Sequence, residues 1–248
     1  MPFIELIYFM LGMVKESSQN ALERFFPKIK EVVYMTQQAF SLARKKVKWE
    51  AFLELFRATV RGSYNEELKD WRGYLPMAID GSHIILPPDA ALRKYYEATG
   101  HEHSAATARA SALVDIENDI IVDAKIELLK KDERSLAKKQ LDALAGMDFE
   151  SVVKKSLVIF DYGYLSKDLI KYIEDKGLLY VTRVQKGFNS QIDNMGNGSG
   201  TIRLSKEVQT RAIVFLLKNG EREALITNLG EDEIEEEAAV RIPGQGEP

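Results

Sequence analysis

Two short apolar stretches, each carrying one aspartate, constrain this chain more than any other feature of its sequence. The first, PMAIDGSHIILP at residues 76–87, has Asp80 at its centre, and the second, LVIFDYGY at residues 157–164, contains Asp161. Short apolar runs bounded by turn residues predict buried strands. An ionised carboxylate in a buried strand is unfavourable unless its charge is compensated, and a bound cation compensates it most strongly.

The two aspartates are therefore candidate metal ligands. Taken alone, Asp80 could instead begin a turn before Gly81, because Asp-Gly pairs are frequent in turns. Two aspartates at strand ends, however, supply what a divalent cation needs, which is hard oxygen ligands on rigid elements. We predict that Asp80 and Asp161 meet in space and hold a divalent metal ion.

The predicted elements around these aspartates follow a definite order. From residue 76 the hydrophobic pattern predicts three strands, a helix, a strand, a helix and a strand, at residues 79–86, 110–116, 120–128, 132–145, 156–161, 166–176 and 178–184. This is the order of an α/β (α+β) fold with a ribonuclease-H-like core, in which the first and fourth strands lie side by side. Such neighbours would bring Asp80 and Asp161 together.

Four regions are predicted along the chain. Residues 1–72 read as helical, and the ribonuclease-H-like core occupies residues 73–188. Three more strands predict a β-rich insertion at residues 189–230, which begins with a flexible loop rich in Asn, Gly and Ser, and residues 231–248 form an acidic tail. The first helix is predicted to pack through one apolar face, made of Phe3, Ile4, Ile7, Tyr8, Leu11 and Val14.

Charge and composition limit the classes of function. The net charge of −4 argues against a simple nucleic-acid binder, yet residues 231–248 hold seven acids and one arginine, a net −6, which leaves +2 on residues 1–230. Arg44, Lys45 and Lys46 lie near a joint between two predicted helices, where they either contact DNA phosphates or form a solvated basic face. His101 and His103 lack further ligands and are predicted to be exposed loop residues, not a zinc site.

The location is predicted to be cytoplasmic. The sequence has no cysteine, which fits a reducing cytosol. Its apolar start lacks the basic segment of a signal peptide and contains Glu5. That start is also shorter than the roughly 20 residues that a membrane-spanning helix needs.

Several pieces of the chain resemble one known family when they are taken in order. They are QAFSLARKKV at 38–47, AIDGS at 78–82, ASALVDIENDIIVDAKI at 110–126, ERSLA at 133–137, IFDYGYLSKDLI at 159–170, YVTRV at 180–184 and LITNL at 225–229. These pieces run in family order, are spread over most of residues 1–230 and resemble insertion-sequence transposases of the DDE type, in the branch with a β-rich insertion between the second Asp and the final Glu.

The resemblance implies a chemistry and a set of partners. Asp80 and Asp161 would be the first two acids of a catalytic triad that holds two divalent cations, Mg²⁺ or Mn²⁺. One ion would activate a water or a 3′-hydroxyl, and the other would stabilise the leaving oxygen. The reaction would cleave DNA at the terminal repeats of the element and join them to target DNA. The resemblance also implies a homodimer and a prokaryotic protein that lies at the nucleoid when it binds DNA.

Further site residues come from the same resemblance. Arg183, in the strand after the second Asp, would contact a DNA phosphate. Tyr164, Ser166 and Lys167 would either touch the DNA backbone or serve as an ordinary helix start with its packing. The family often has Arg where this chain has Tyr162, which would remove one DNA contact and leave the metal ligand in place. Glu133 belongs to the ERSLA piece, and its position in the first turn of a helix is enough to explain an acidic residue there.

The third acid of the triad is the largest departure from the family. The family continues past LITNL into a helix with a Tyr-x-x-Arg pattern and the final Glu, whereas this chain continues through an acidic run to AVRIPGQGEP. Proline and glycine there oppose a helix, so we expect a reading frame truncated or shifted near Ala239. The substitutes on offer are Glu235, Glu236 and Glu237.

Three readings follow for the function of the chain. The first is an active DDE transposase. The second is a catalytically inactive remnant that binds DNA or a full-length partner. The third, a different ribonuclease-H-like nuclease, would need an acidic residue on a helix after the last core strand, and the sequence shows none.

Overall fold

Helices come first in the chain and strands follow. The structure is a computed structural model that describes residues 2–13, 17–28, 35–96 and 105–233, so His101, His103 and Glu235–Glu237 lie outside the described residues. The helices are α1 (Phe3–Leu11), α2 (Ser18–Lys28), α3 (Gln37–Arg44), α4 (Trp49–Ser63), α5 (Ala90–Tyr95), α6 (Glu133–Ala145), α7 (Glu150–Lys155), α8 (Lys167–Asp175) and α9 (Ser190–Asp193). The strands are β1 (Leu75–Ile85), β2 (Thr107–Asp115), β3 (Ile120–Leu128), β4 (Ser156–Phe160), β5 (Leu179–Arg183), β6 (Gly198–Arg203), β7 (Gln209–Leu216) and β8 (Arg222–Thr227).

The chain divides into two units, residues 1–61 and residues 62–248. The first unit has a small aromatic core in which Phe9 packs edge-on against Phe25 and Phe40, with ring centroids 5.2 and 4.8 Å apart. Thr36 caps α3, as its side chain accepts a hydrogen bond from the backbone N–H of Ala39 at 3.2 Å.

The predicted apolar face of α1 is wrong for its described residues, and Val14 lies outside them. Leu6 and Phe9 are the buried residues of this helix, whereas the exposed ones include Phe3, Ile4, Tyr8 and Leu11. Nearly every position of α1 is apolar, so periodicity alone could not choose between its faces. The aromatic partners of Phe9 decided the choice.

The second unit is built on one eight-stranded sheet with the strand order β3-β2-β1-β4-β5-β8-β7-β6. Strands β1, β4 and β5 are parallel neighbours, and β2 and β3 extend the sheet from β1 as an antiparallel hairpin. The first and fourth strands therefore lie side by side, as the element order predicted. This is a mixed α/β fold of the ribonuclease-H-like class.

The strands of residues 189–230 continue this sheet. Strand β8 pairs antiparallel with β5, with Val181 opposite Thr227, and β7 and β6 follow outward. Residues 189–200, predicted as a loop, contain α9 and the start of β6. Residues 189–200 have regular structure because the side chain of Ile192 in α9 is buried and its carbonyl accepts a 2.5 Å hydrogen bond from Arg222.

The two faces of the sheet are covered differently. Helices α6 and α8 contact each other, α6 packs on β2 and β3, and α8 packs on β5. The other face, over β4, β5, β8 and β7, holds a core cluster that includes Leu157, Ile159 and Leu225, with Trp71 and Tyr74 packed against it. No helix within the described ranges is long and apolar enough to span a membrane.

Candidate active site

The pairing of β1 with β4 places the two aspartates at matching positions. Leu75 pairs with Ser156, and the register continues to Ala78 opposite Ile159, with partners always 81 residues apart. Asp80 and Asp161 are also 81 residues apart and lie two positions beyond the last pair. Neighbouring strands are separated by about 5 Å, so the two backbones are close at this point.

Both aspartates point from the same face of the sheet. Side chains alternate between faces along a strand, so a step of two residues returns to the face of the paired Ala78 and Ile159. Asp161 keeps an extended backbone, with φ −75° and ψ 162°, so the alternation continues past the end of β4. Both side chains are exposed. The meeting of Asp80 and Asp161 stays a prediction, and the register of the strands supports it.

One local contact orients Asp80. The backbone N–H of Gly81 donates a hydrogen bond of 2.7 Å to its Oδ1. Asp161, by contrast, makes no side-chain capping bond to the 3₁₀ turn that follows it, at Tyr162–Tyr164. The Asp161 carboxylate is therefore not committed to that turn.

The residues at this site fit part of what a divalent cation needs. Two carboxylates from adjacent strand ends supply hard oxygen ligands. Among the described residues, however, no group of three or more His, Cys, Asp or Glu side chains could hold a metal ion. Within residues 2–13, 17–28, 35–96 and 105–233 the candidate ligand set is therefore the pair Asp80 and Asp161.

Tyr164 is buried close to the exposed Asp80. Its side chain is buried against Phe160, with ring centroids 6.4 Å apart. Burial raises the pKa of the Tyr164 hydroxyl to about 12, and the negative charges of Glu133 and Asp80 add to this shift. The phenol is thus neutral near pH 7. Of the two roles predicted for Tyr164, packing describes its position better than contact with DNA.

Ser166 and Lys167 occupy the start of α8. The Ser166 hydroxyl accepts a hydrogen bond of 3.1 Å from the backbone N–H of Leu169, which makes Ser166 the N-cap of the helix. Of the two roles predicted for Ser166, the start of a helix therefore describes its position. Lys167 is exposed and lines a surface cavity of about 500 Å³ together with Arg203. These two cations face a cavity otherwise lined mainly by polar residues, Asn189, Ser190, Gln191 and Ser205 among them.

The other residues predicted to contact DNA are Arg183 in the sheet and three cations in the first unit, Arg44, Lys45 and Lys46. Arg183 ends β5 and forms an ion pair with Glu223, Nε to Oε1 at 2.7 Å, so a phosphate would compete with Glu223 for its guanidinium. Arg44, Lys45 and Lys46 are all exposed at the C-terminal end of α3 in the first unit. The Arg44 guanidinium also lies 5.8 Å from the centre of the Phe40 ring.

Sequence reasoning missed the role of Arg134. It belongs to the ERSLA piece, and its guanidinium donates hydrogen bonds to the turn that follows Asp161. Glu133, its neighbour, forms an ion pair with Arg109 of β2. The sequence held two signals, the place of Arg134 in the family-like ERSLA piece and an arginine at a helix start, where the helix dipole does not favour a cation.

The chain is similar to known proteins at the level of a family and of one solved structure. No curated protein matches the chain. A piggyBac transposase solved by cryo-electron microscopy in a synaptic complex with hairpin DNA shares 13% identity, with a TM-score of 0.49 over 95% of this chain and 53% of that one. The present chain thus spans about half of that protein. The model of the family described as the transposase DDE domain matches residues 71–237, which is more than half of the chain. The parallel strand pair and its two aspartates lie inside that match, and the chain belongs to the DDE transposase family.

Proposed function

We propose that this protein acts on DNA as a transposase and that Asp80 and Asp161 hold its divalent cations, Mg²⁺ or Mn²⁺. The observation that supports the proposal is the constant register between β1 and β4, since Asp80 and Asp161 each lie two positions beyond the last paired residues, Ala78 and Ile159. Bound there, such ions would activate a water or a 3′-hydroxyl and stabilise the oxygen that leaves the phosphorus. The partners are the terminal repeats of an element and its target DNA, joined by a homodimer at a prokaryotic nucleoid.

The chain itself contributes orientation and charge. The Gly81 amide holds one oxygen of Asp80, which leaves the other free to bind a cation. Lys167 and Arg203 give their shared cavity the charge that a DNA phosphate requires. A second basic surface is formed by Arg44, Lys45 and Lys46. Arg183 would bind a phosphate by breaking its ion pair with Glu223.

Catalysis would be weak with only two acids. Among the described residues, no group of three or more His, Cys, Asp or Glu side chains that includes this pair could hold a metal ion. The second candidate function is therefore an inactive relative that binds DNA, or a full-length partner, without cutting. The observation that favours it is the same pair of acids without a third, since the exposed cations are sufficient for binding but not for phosphoryl transfer.

A cleavage assay separates the two functions. The substrate is a supercoiled plasmid that carries the genomic DNA flanking the coding sequence, incubated with Mg²⁺ or Mn²⁺. An active transposase nicks this plasmid, and D80A and D161A each lower the rate by more than about 100-fold, because even residues behind metal ligands contribute 10- to 100-fold.

The matched control is D175A, which removes an exposed aspartate at the end of α8. It should cut at the wild-type rate. Gel-shift measurements on the same DNA run in parallel. Binding without nicking supports the inactive relative, and equal nicking by wild type and D80A removes Asp80 from the site.

A further inference from the structure

The turn that follows Asp161 has little structure of its own. It is a single 3₁₀ turn, in which the N–H of Tyr164 bonds to the carbonyl of Asp161 at 3.0 Å and that of Leu165 to the carbonyl of Tyr162 at 3.1 Å. Short 3₁₀ turns have poor hydrogen-bond geometry and leave their last carbonyls without partners in the turn. Something outside the turn must fix it if Asp161 is to keep a defined place.

Arg134 supplies that support from α6. Its Nε donates to the carbonyl of Tyr164 at 3.0 Å, and its Nη2 donates to the carbonyls of Gly163 and Leu165 at 3.2 and 3.4 Å. Three consecutive carbonyls are thus held by one planar guanidinium. A rigid fork of donors can do this, whereas the single ammonium of a lysine cannot reproduce the geometry.

The base of this clamp is firmly placed. Arg134 is the second residue of α6, and the Asp132 side chain caps the helix by accepting from the N–H of Ser135 at 3.0 Å. The helix buries Leu136 and Leu141 completely and packs on β2 and β3. The turn is therefore held in a fixed position relative to the sheet, because Arg134 ties it to α6 and α6 packs on β2 and β3.

The same turn also reaches β1 directly. The Tyr164 hydroxyl lies 3.0 Å from the point where a Cβ on Gly81 would stand. Gly81 is the residue after Asp80, and its N–H holds the Asp80 carboxylate. Tyr164 is buried, so it has little room to move away. One tyrosine therefore connects the turn behind Asp161 with the backbone behind Asp80.

We propose that Arg134 is a positioning residue, which sets the spacing of Asp161 from Asp80 by clamping the turn that carries Tyr164. Arg134 acts through backbone carbonyls and touches neither the cation nor DNA. Gly81 is required in this arrangement because any larger residue would push Tyr164 and the turn outward. The proposal rests on the proposed function, since it concerns the same pair of acids.

Titration with Mn²⁺ by calorimetry tests the clamp without relying on activity. Arg134→Gln should weaken Mn²⁺ binding about tenfold, the lower end of the range for residues behind metal ligands. Arg134→Lys should recover only part of that loss, because it keeps the charge without the fork. The thermal midpoint of each variant is recorded beside its affinity, because a residue that only stabilises the fold would move the midpoint and not the affinity.

The matched control is Arg57→Lys, on α4 in the other unit, where Arg57 pairs with Glu54 on an exposed helix surface. It should bind Mn²⁺ as the wild type does. Wild-type affinity in Arg134→Gln would overturn the clamp, and so would full recovery in Arg134→Lys, since charge alone would then suffice.

A second pair of variants tests the link through Tyr164 and stands even if Arg134→Gln fails to fold. Gly81→Ala adds a methyl group against the Tyr164 hydroxyl and should weaken Mn²⁺ binding several-fold. Tyr164→Phe in the Gly81→Ala background removes the opposing oxygen and should restore most of the affinity. A Gly81→Ala loss that Tyr164→Phe does not restore would overturn the link.

The aspartate variants separate this proposal from the proposed function. If D80A and D161A lose Mn²⁺ binding while Arg134→Gln keeps it, the acid pair stands and the clamp is wrong. If D80A and D161A bind Mn²⁺ as the wild type does, or the wild type does not bind it at millimolar concentrations, the acid pair fails and the clamp fails with it.

Discussion

Strand β4 and the outer half of β1, the strand beside it in the sheet, differ sharply in burial. All five residues of β4 are buried. In β1 the residues before Asp80 are mostly buried, whereas Asp80 and the residues that follow are mainly exposed, and Ile85 is 80% exposed. The two aspartates stand at the border between these regions. One side of the border provides a rigid support, and the other leaves the acids open to a large substrate.

Topology explains the difference. Strand β4 lies between β1 and β5, with core residues on both of its faces, whereas β1 outlasts β4 and beyond Asp80 keeps β2 as its paired neighbour. Parallel strands that are buried on both faces read as continuous apolar runs, which describes SLVIF but not the outer half of β1. An aspartate placed where one strand ends and its neighbour continues can be well positioned and still exposed.

The largest expected effect tests the buried side of this comparison. Leu157→Ala in β4 should lower the free energy of unfolding by about 2–5 kcal/mol, because it removes a fully buried side chain and leaves a cavity. The exposed Ile85→Ala should change it by less than about 0.5 kcal/mol. Urea unfolding followed by circular dichroism measures both. If Leu157→Ala and Ile85→Ala lowered the free energy of unfolding equally, the difference in burial between the two regions would not correspond to a difference in stability.

A smaller effect tests the open side. Mg²⁺ at about ten times its dissociation constant should stabilise the wild type by about 1.4 kcal/mol, since a ligand that binds only the folded state shifts the equilibrium by mass action. Asp80→Asn removes one charged ligand and should abolish most of this gain while leaving stability without Mg²⁺ nearly unchanged. Thermal unfolding with Mg²⁺, and with Ca²⁺ for comparison, measures the shift. A full Mg²⁺ gain in Asp80→Asn would contradict the acid pair.

The smallest effect comes from a surface contact that belongs to neither region. Hydrogen bonds from Lys176 and Tyr172 lower the pKa of Asp142 on α6 below its usual value. A lowered folded-state pKa gives stability that is present above the ordinary pKa of 3.8 and is lost as pH falls through the folded value. Because the contact is exposed, Asp142→Asn should remove only a few tenths of a kcal/mol at pH 7.

The pH dependence gives this last prediction its sign. The stability difference between the wild type and Asp142→Asn should shrink as the pH falls from 3.8 through the lower folded-state pKa, because below that pKa Asp142 is neutral in the folded chain as well. Paired urea titrations at pH 7 and at successively lower pH values provide the measurement. A difference that grows on acidification would show that another interaction dominates at Asp142.

Much of the core and of the candidate site could be predicted from the sequence. The runs around Asp80 and Asp161 are strongly apolar and short, so their strands, and the helices α6 and α8 between and after them, followed from pattern alone. The apolar face of α1 did not, since a helix that is apolar all round offers no preferred side. The pairing of β8 with β5 did not follow from pattern either, because the pairing of strands far apart in sequence depends on which edge of the sheet is available in the folded chain.

The sequence by itself determined where the two candidate acids stand: one aspartate lies in an apolar strand and the other directly after one, with periodic helices before and after the second strand. Only the tertiary structure decided what surrounds those aspartates, because the Arg134 clamp and the approach of Tyr164 to Gly81 depend on distances between elements remote in sequence. Local pattern fixes the period of a segment, whereas contacts between segments depend on packing, which no single segment contains.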